Sequence, residues 1–82
     1  MNTDKQYTLE LMEHLLVLKT PDEMEAALRA LLTPAEFSEV TKRLQIFKML
    51  KQSVPQRQIA ETLGVGIATV TRGSRALKAE EE

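Results

Sequence analysis

Apolar residues recur at helical spacing in five segments of the chain, and prolines or glycines stand between most of them. A chain of 82 residues has room for one small domain. We predict an all-α protein of about five helices, at residues 4–19, 21–31, 34–51, from near 53 to Gly64, and 67–78.

Two of the predicted helices begin with a capping box. Thr20 and Thr33 are each followed by a proline and, three positions on, by a glutamate, Glu23 or Glu36. In such a box the threonine oxygen accepts from the backbone N–H of the glutamate, and the carboxylate binds back to the start of the helix. Proline suits the first helical position because its missing N–H would have no partner there. The run Ser-Val-Pro-Gln at residues 53–56 predicts a third such start.

The first and third helices differ in how much of their surface is apolar. In the third, Val40, Leu44, Phe47 and Leu50 form one stripe, which we expect to face the core. In the first, apolar residues at positions 11, 12 and 15–18 occupy more than one face. A helix that is apolar around most of its girth needs cover on two sides, and so small a chain has few helices to supply it. We therefore predict a homodimer.

Residues 56–75 match the pattern of a helix-turn-helix. Gly64 provides the left-handed residue that a short turn between two crossed helices requires. The other constrained positions hold inward-facing apolar residues and one small residue at the crossing, namely Ile59, Ala60, Leu63, Val65 and Val70. An ordinary helical hairpin is the alternative. We divide the single domain, residues 1–82, into dimerisation helices at 1–52 and the helix-turn-helix at 53–79.

Composition argues against several classes of function. The chain has no cysteine and a single histidine, His14, so it offers no disulfide, no thiolate or histidine-rich metal site and no thiol nucleophile. It shows no nucleophile–base pair and no glycine loop for phosphates, so we expect no enzyme. No apolar run approaches the roughly 20 residues of a membrane span, and the N-terminus lacks a signal-peptide pattern. We expect a cytoplasmic protein without a metal or a membrane partner.

Charge is unevenly distributed along the chain, although the formal net charge is only −1. Residues 1–41 hold eight acidic and three basic side chains, whereas residues 42–78 hold eight basic side chains and one acidic one. A local positive excess of this size attracts a polyanion even when the whole molecule does not. Since the excess coincides with the helix-turn-helix, we predict double-stranded DNA as a partner; a solvated helix surface is the alternative.

The second helix of the motif is expected to enter the major groove of DNA. Small methyl and hydroxyl side chains near its N-terminus permit close approach to the bases, and threonine or alanine can contact the methyl group of thymine. Basic side chains and the start of the preceding helix suit phosphates or a base edge. The predicted DNA-binding residues are Gln56, Arg57, Ile67, Ala68, Thr69, Thr71, Arg72 and Lys78.

Gly73 is unusual because it stands in the middle of a predicted helix, where glycine costs about 1 kcal/mol relative to alanine. Most helix-turn-helix units have an apolar anchor at this position. The missing side chain leaves a slot beside Arg72. Either two helices cross closely at this point, or a planar ligand lies in the slot; the residues alone leave both interpretations open.

The chain resembles the tryptophan repressor family over residues 31–78. The resemblance rests above all on the run Gly-Val-Gly-Ile-Ala-Thr-Val-Thr-Arg-Gly-Ser at residues 64–74. It is supported by Leu-Leu-Thr-Pro-x-Glu at 31–36, Arg43, Gln56-Arg57 and Leu77-Lys78. The family implies an intertwined helical homodimer whose two reading heads take the spacing of successive major grooves when L-tryptophan is bound. Tryptophan repressor is also a standard example of water-mediated base contacts.

The resemblance also implies a ligand site. In the family an indole ring lies between two arginines, which correspond to Arg43 and Arg72, and one of them pairs with the carboxylate with help from a threonine that corresponds to Thr33. Gly73 matches the glycine after the second arginine, and backbone carbonyls around Leu32 of the second copy receive the ammonium group. The implied ligand-binding residues are therefore Leu32, Thr33, Arg43, Arg72 and Gly73. A serine that assists the ammonium in the family is replaced by Ala76.

Three functional hypotheses follow. The first is a dimeric transcriptional repressor that binds a palindromic operator and requires L-tryptophan as corepressor. The second keeps the DNA-binding regulator but gives it a different small-molecule effector, or none. The third makes the helix-turn-helix a protein-interaction module, which would bind nucleic acid with little dependence on salt because it releases few counterions.

Overall fold

The computed structural model describes residues 3–81, and within that range the chain forms five α-helices and no strand. This confirms the predicted all-α class. The helices are α1 (Thr3–Leu16), α2 (Pro21–Leu31), α3 (Pro34–Lys51), α4 (Gln56–Leu63) and α5 (Ile67–Glu81). In the described part of the chain, no helix is long and apolar enough to cross a bilayer.

The capping box at the start of α3 is complete. The Glu36 N–H donates to Thr33 Oγ1 at 3.1 Å, and the Thr33 N–H donates to Glu36 Oε1 at 2.8 Å. At the start of α2 the Glu23 N–H likewise donates to Thr20 Oγ1 at 3.1 Å, but the Glu23 carboxylate accepts from the N–H of Lys19, one residue earlier. These bonds confirm both predicted helix starts. The starts could be predicted because a capping pattern involves only four or five neighbouring residues.

The first helix is shorter than predicted. It ends at Leu16 instead of near residue 19, and the Leu18 N–H closes a single turn onto the Leu15 carbonyl. Lys19 is engaged by Glu23, and Thr20 is extended with φ −126° as the N-cap of α2. The residues that start α2 therefore stop α1 early, although the apolar pattern continues through Leu18.

The third start differs from the prediction. Ser53 takes a left-handed conformation, φ 63°, and its N–H donates to the Leu50 carbonyl while the Val54 N–H donates to the Met49 carbonyl. This pair of bonds is a Schellman motif, so the run 53–56 ends α3 before it starts α4. Pro55 is the N-cap of α4, without a side-chain capping bond, and Gln56 completes no box.

By its contacts the chain divides into two compact units, Met1–Phe37 and Ser38–Glu82. The second unit holds the hydrophobic core, in which Ile46, Ile59 and Val70 are almost completely buried. Partly buried apolar residues surround them, including Met49, Leu50, Val54, Leu63 and Val65. The division of one domain into dimerisation helices at 1–52 and a helix-turn-helix at 53–79 stays a prediction.

The core-facing stripe predicted for α3 is wrong at Val40 and Leu44 and right at Leu50. Val40 and Leu44 are 47% and 55% exposed, and the residue that α3 buries is Ile46. Ile46, Met49 and Leu50 pack on the core at spacings of three and four residues, so the packed side of the helix shares Leu50 with the predicted stripe, whose start is exposed. Because α3 is apolar on two sides, its periodicity alone did not select the side that packs against α4 and α5.

The first unit exposes most of its apolar surface. Neither α1 nor α2 buries a residue completely, and Leu16 and Val17 are 81% and 68% exposed. At its end the Arg29 guanidinium lies 4.2 Å from the centre of the Phe37 ring and bonds Glu25 through Nε at 2.7 Å. The breadth of apolar surface predicted for the first helix is thus confirmed, whereas its cover by a second copy stays a prediction.

The capping box of α3 gives a test by pH. The two hydrogen bonds between Glu36 and Thr33, backbone bond first, lower the pKa of the Glu36 carboxyl below its ordinary value of 4.5. Because the folded pKa is the lower one, the stabilisation is present above pH 4.5 and is lost as the pH falls through the folded pKa. We expect an NMR titration to place the Glu36 midpoint below 4.5. A midpoint at or above that value would contradict the box.

Candidate nucleic-acid interface and effector cavity

A helix-turn-helix forms from α4, the connection 64–66 and α5. Gly64 has φ 67° and ψ 38°, and its N–H and that of Val65 both donate to the Ala60 carbonyl. The left-handed glycine therefore closes α4 and turns the chain, as predicted. Ile59 from α4 and Val70 from α5 meet Ile46 in the buried cluster, which ties the motif to α3.

The predicted DNA-binding residues lie on these two helices with differing exposure. Those on the outer face are exposed: Arg57, Ile67, Ala68, Arg72 and Lys78. Gln56, Thr69 and Thr71 are half-buried. Thr71 Oγ1 lies 3.0 Å from Gln56 Oε1, so one residue at the start of α4 and one on α5 contact each other directly.

The basic side chains of the motif are unpaired. Ion pairs join Arg29 to Glu25 and, in a loose contact of 4.0 Å, Arg43 Nη2 to Glu39 Oε2. Arg57, Arg72, Arg75 and Lys78 are exposed, and none takes part in either pair. Their charge is therefore available to an external anion, at the face where the small side chains of α5 are exposed.

A cavity of about 290 Å³ lies between α3 and α5, on the inner side of α5. Its apolar floor consists of Ile46, Phe47, Gly73 and Ala76, and its polar groups are the guanidinium groups of Arg43 and Arg72 and the hydroxyl of Thr69. Guanidinium groups stack on aromatic rings and form paired bonds to carboxylates. The chemistry of the lining suits a small planar molecule with an acidic group.

A second cavity of about 300 Å³ adjoins the first and is more polar. The two share Arg43, Ile46, Thr69 and Arg72, so the two arginines stand where the cavities meet. The second adds Ser38, Glu39 and Lys42 from α3, and Val65 and Gly66 from the turn. It joins the inner cavity to the region around the start of α5.

The structure brings three of the five predicted ligand residues together. Arg43, Arg72 and Gly73 line one cavity. Thr33 and Leu32 belong to the first unit, where Thr33 caps α3 and Leu32 is the half-buried, extended C-cap of α2. Capping by itself accounts for Thr33, and ligand binding by Thr33 and Leu32 stays a prediction.

Gly73 stands at a close approach between helices. A Cβ added there would lie 2.8 Å from Ile46 Cγ2 and 3.8 Å from Phe47 Cε1. Of the two interpretations of Gly73, the structure supports a close crossing of α5 on α3, and the same absent side chain leaves room in the cavity. A ligand in the slot stays a prediction.

The sequence interpretation missed Ile46 and Phe47 as cavity residues. The stripe through Val40 and Leu44 has a similar helical spacing and competes with Ile46 for the core-facing side. The spacing of Ile46 to Met49 and Leu50 was a usable signal, since those three residues pack on one cluster. Phe47 was assigned to the core, whereas it is half-buried and lines the cavity.

These features define a class, namely an all-α helix-turn-helix protein with a cavity directly behind the second helix of the motif. The family model described as Trp repressor protein matches residues 6–82, and the chain belongs to this family. Family membership confirms the predicted fold class and the role of a transcriptional repressor. It also confirms that the chain is a regulator and not an enzyme.

The chain is similar to Trp operon repressor homologs of several Vibrio species. The chain is 41% identical over 81 residues to a Trp operon repressor homolog of Vibrio vulnificus (strain YJ016), covering 98% of this chain and 76% of the relative. It is 39% identical over 74 residues to that of Vibrio atlanticus (strain LGP32), covering 89% and 76%. The homolog of Vibrio parahaemolyticus serotype O3:K6 is 49% identical over 59 residues, 71% and 57% of the two chains. No solved structure matches the chain significantly.

The contact between Gly73 and Ile46 can be tested by stability. In Gly73→Ala the new methyl group overlaps a buried side chain, which should cost about 1–3 kcal/mol. The higher helix propensity of alanine offsets about 1 kcal/mol of this cost, so we expect a net destabilisation of up to about 2 kcal/mol. The free energy of unfolding is measured by urea denaturation.

Two further variants serve as controls. Gly66→Ala adds a methyl group where nothing lies within 4 Å, so its effect should stay within about 0.5 kcal/mol. Ile46→Leu removes Cγ2 with little change in volume, and in that background Gly73→Ala should cost clearly less. An equal cost in both backgrounds would show that the contact is not the cause.

Proposed function

We propose that this chain is a sequence-specific DNA-binding repressor that works as a homodimer and requires L-tryptophan as corepressor. The observation that carries the proposal is the position of Arg72. This residue lines the cavity on the inner side of α5 and is also exposed beside the small side chains of its outer face. One helix thus serves both an effector and an operator.

The exposed face of α5 supports binding to DNA in the major groove. Ile67 and Ala68 are exposed at the start of the helix. Methyl groups of this kind can approach thymine, while Arg57 and Lys78 are free to neutralise phosphates on either side. Operator double-stranded DNA is therefore the proposed partner.

The cavity supports a planar effector with a carboxylate. Its volume of about 290 Å³ is at the lower end of the range for small-molecule sites. A ring can lie on the floor formed by Ile46, Phe47 and Gly73, with Arg43 on one side and Arg72 on the other. The names of the relatives, Trp operon repressor homolog, favour L-tryptophan among planar acids.

A ligand in this cavity can influence DNA binding because it contacts α5 from behind. Filling the space between α3 and α5 favours those positions of α5 in which the cavity is open. Such a ligand changes operator affinity only as far as it binds one position of the helix better than the other. In the proposed dimer, the favoured position places the two copies of α5 about 34 Å apart, one turn of DNA.

The first unit supports the homodimer. Leu11, Met12 and Leu16 are exposed on α1, a helix that buries none of its own residues, and Val17 is exposed directly after it. An exposed apolar surface of this extent is typical of a protein–protein interface. We propose that the same surface of a second copy covers these apolar residues. The resulting dimer has two helix-turn-helix units, as a palindromic operator requires.

One observation favours a second candidate for the effector. Ala76 lines the cavity with a methyl group, and none of the lining residues of that cavity is acidic. A planar aromatic acid without an ammonium group would therefore lose little in this chain. Calorimetry with L-tryptophan and with indole-3-propionate, which has the ring and the carboxylate alone, separates the two effectors.

The main test is a titration of duplexes that the protein selects from a random pool in the presence of L-tryptophan. We expect L-tryptophan to tighten binding at least tenfold, with affinity falling steeply as salt rises. Equal affinity with and without L-tryptophan would remove the corepressor. No dependence on salt would instead favour a protein-interaction module.

Arg72 should matter for both ligands. We expect Arg72→Ala to weaken L-tryptophan and operator binding by about tenfold or more each, the effect of one lost charge-assisted contact. The chain contains no tryptophan residue, so the emission of added L-tryptophan reports its binding directly. Arg75→Ala is the matched control, because Arg75 is exposed on α5 but lines neither cavity. It should weaken operator binding only; unchanged affinities in Arg72→Ala would refute the site.

The homodimer is tested by mass. We expect analytical ultracentrifugation to give twice the chain mass for the wild type and a shift towards monomer for Leu16→Glu, because a charge replaces an exposed apolar contact on α1. Lys19→Glu, an exposed charge reversal nearby, should leave the mass unchanged. A wild type that is monomeric at all concentrations would contradict the dimer.

A further inference from the structure

The hydroxyl of Thr71 lies between two acceptors. Thr71 Oγ1 is 3.0 Å from Gln56 Oε1, on the first residue of α4, and 3.0 Å from the Ile67 carbonyl oxygen, one turn earlier on α5. A hydroxyl has a single hydrogen, and both neighbouring atoms are oxygens that only accept. It can therefore donate fully to one of them, and the other contact is left as two oxygens facing each other.

A half-turn of the Gln56 amide resolves this conflict. The turn brings Nε2 to the place of Oε1, so that an amide N–H donates to Thr71 Oγ1 while the Thr71 hydroxyl donates to the Ile67 carbonyl. Both short contacts then become hydrogen bonds. Gln56 and Thr71 are half-buried, which raises the cost of an unpaired oxygen and favours the arrangement that satisfies both contacts.

We propose that Thr71 is a positioning residue that holds the amide of Gln56 with Nε2 inwards and Oε1 towards the DNA, so that Gln56 selects a base with an amino group at one operator position. The inference rests on the proposed DNA binding. It concerns the direction of one side chain, and neither the effector nor the dimer enters it. Thr71 acts through Gln56 and does not itself read the base.

The chemistry of the major groove makes this direction decisive. Adenine N6 and cytosine N4 are donors there, whereas guanine O6 and thymine O4 are acceptors. A fixed amide oxygen accepts from the first two bases and is repelled by the other two. An amide that turns freely can present either its oxygen or its N–H, and it distinguishes the two kinds of base poorly.

The experiment selects duplexes from a random pool with the intact protein in the presence of L-tryptophan, and repeats the selection with Gln56→Ala. The position whose preference disappears in Gln56→Ala is the position that Gln56 reads. Binding to duplexes with each of the four bases at this position then gives a ratio between amino-bearing and keto-bearing bases. The ratio is measured for Thr71→Val, which removes only the hydroxyl, and for Thr71→Ser, which keeps it.

We expect the wild type to prefer adenine or cytosine about tenfold at this position, within the range for one good base contact. Thr71→Val should reduce the ratio to about threefold or less, and Thr71→Ser should restore it. Gln56→Glu, whose carboxylate only accepts, should keep the preference while total affinity falls by repulsion from phosphates. Thr62→Val, a change at an exposed threonine on the same motif, should leave both ratio and affinity unchanged.

Two results would overturn the inference. One is an unchanged ratio in Thr71→Val, and if affinity then falls equally for all four bases, the threonine is merely structural. The other is a wild-type preference for guanine or thymine at the position that Gln56 reads. If the wild type enriches no sequence at all, the proposed DNA binding itself is wrong, and the inference falls with it.

Discussion

The contact between α5 and α3 at Gly73 is the constraint on which the second unit depends. Since residue 73 has no Cβ, the backbone of α5 lies against the side chain of Ile46, which is then sealed from water together with Ile59 and Val70. The same approach defines the floor of the cavity and sets Arg43 and Arg72 on opposite helices around it. A side chain at position 73 would disturb packing and cavity together.

The three sides of α5 would let so small a unit serve the two ligands that we propose. The helix α5 has a buried side with Val70 and Leu77, a side lining the cavity with Gly73 and Ala76, and an exposed side with Ala68. In the proposed function no intermediate element is needed between effector and operator, because both proposed sites share one helix. Coupling through direct contact requires only that α5 have two positions of nearly equal energy.

The two units use their apolar residues differently. In the second, the apolar side chains of three helices converge on one cluster, whereas the first leaves Leu16 and Val17 exposed. A small chain buries a limited share of its surface on folding, so apolar area left over favours association with another molecule. The charge is divided along the chain in a similar way: residues 1–41 are mainly acidic, and residues 42–78 are mainly basic.

Features that depend on neighbouring residues could be read from the sequence. The caps at Thr20 and Thr33, the left-handed Gly64 and the bounds of α2 and α3 arise from bonds within a few positions, where residue type determines conformation. The choice of Ile46 over Val40 and the contact of Gln56 with Thr71 were decided by tertiary structure. Both features depend on contacts between helices that are distant in the sequence. The sequence permits several apolar sides and several partners, and only the packing of the helices selects one of each.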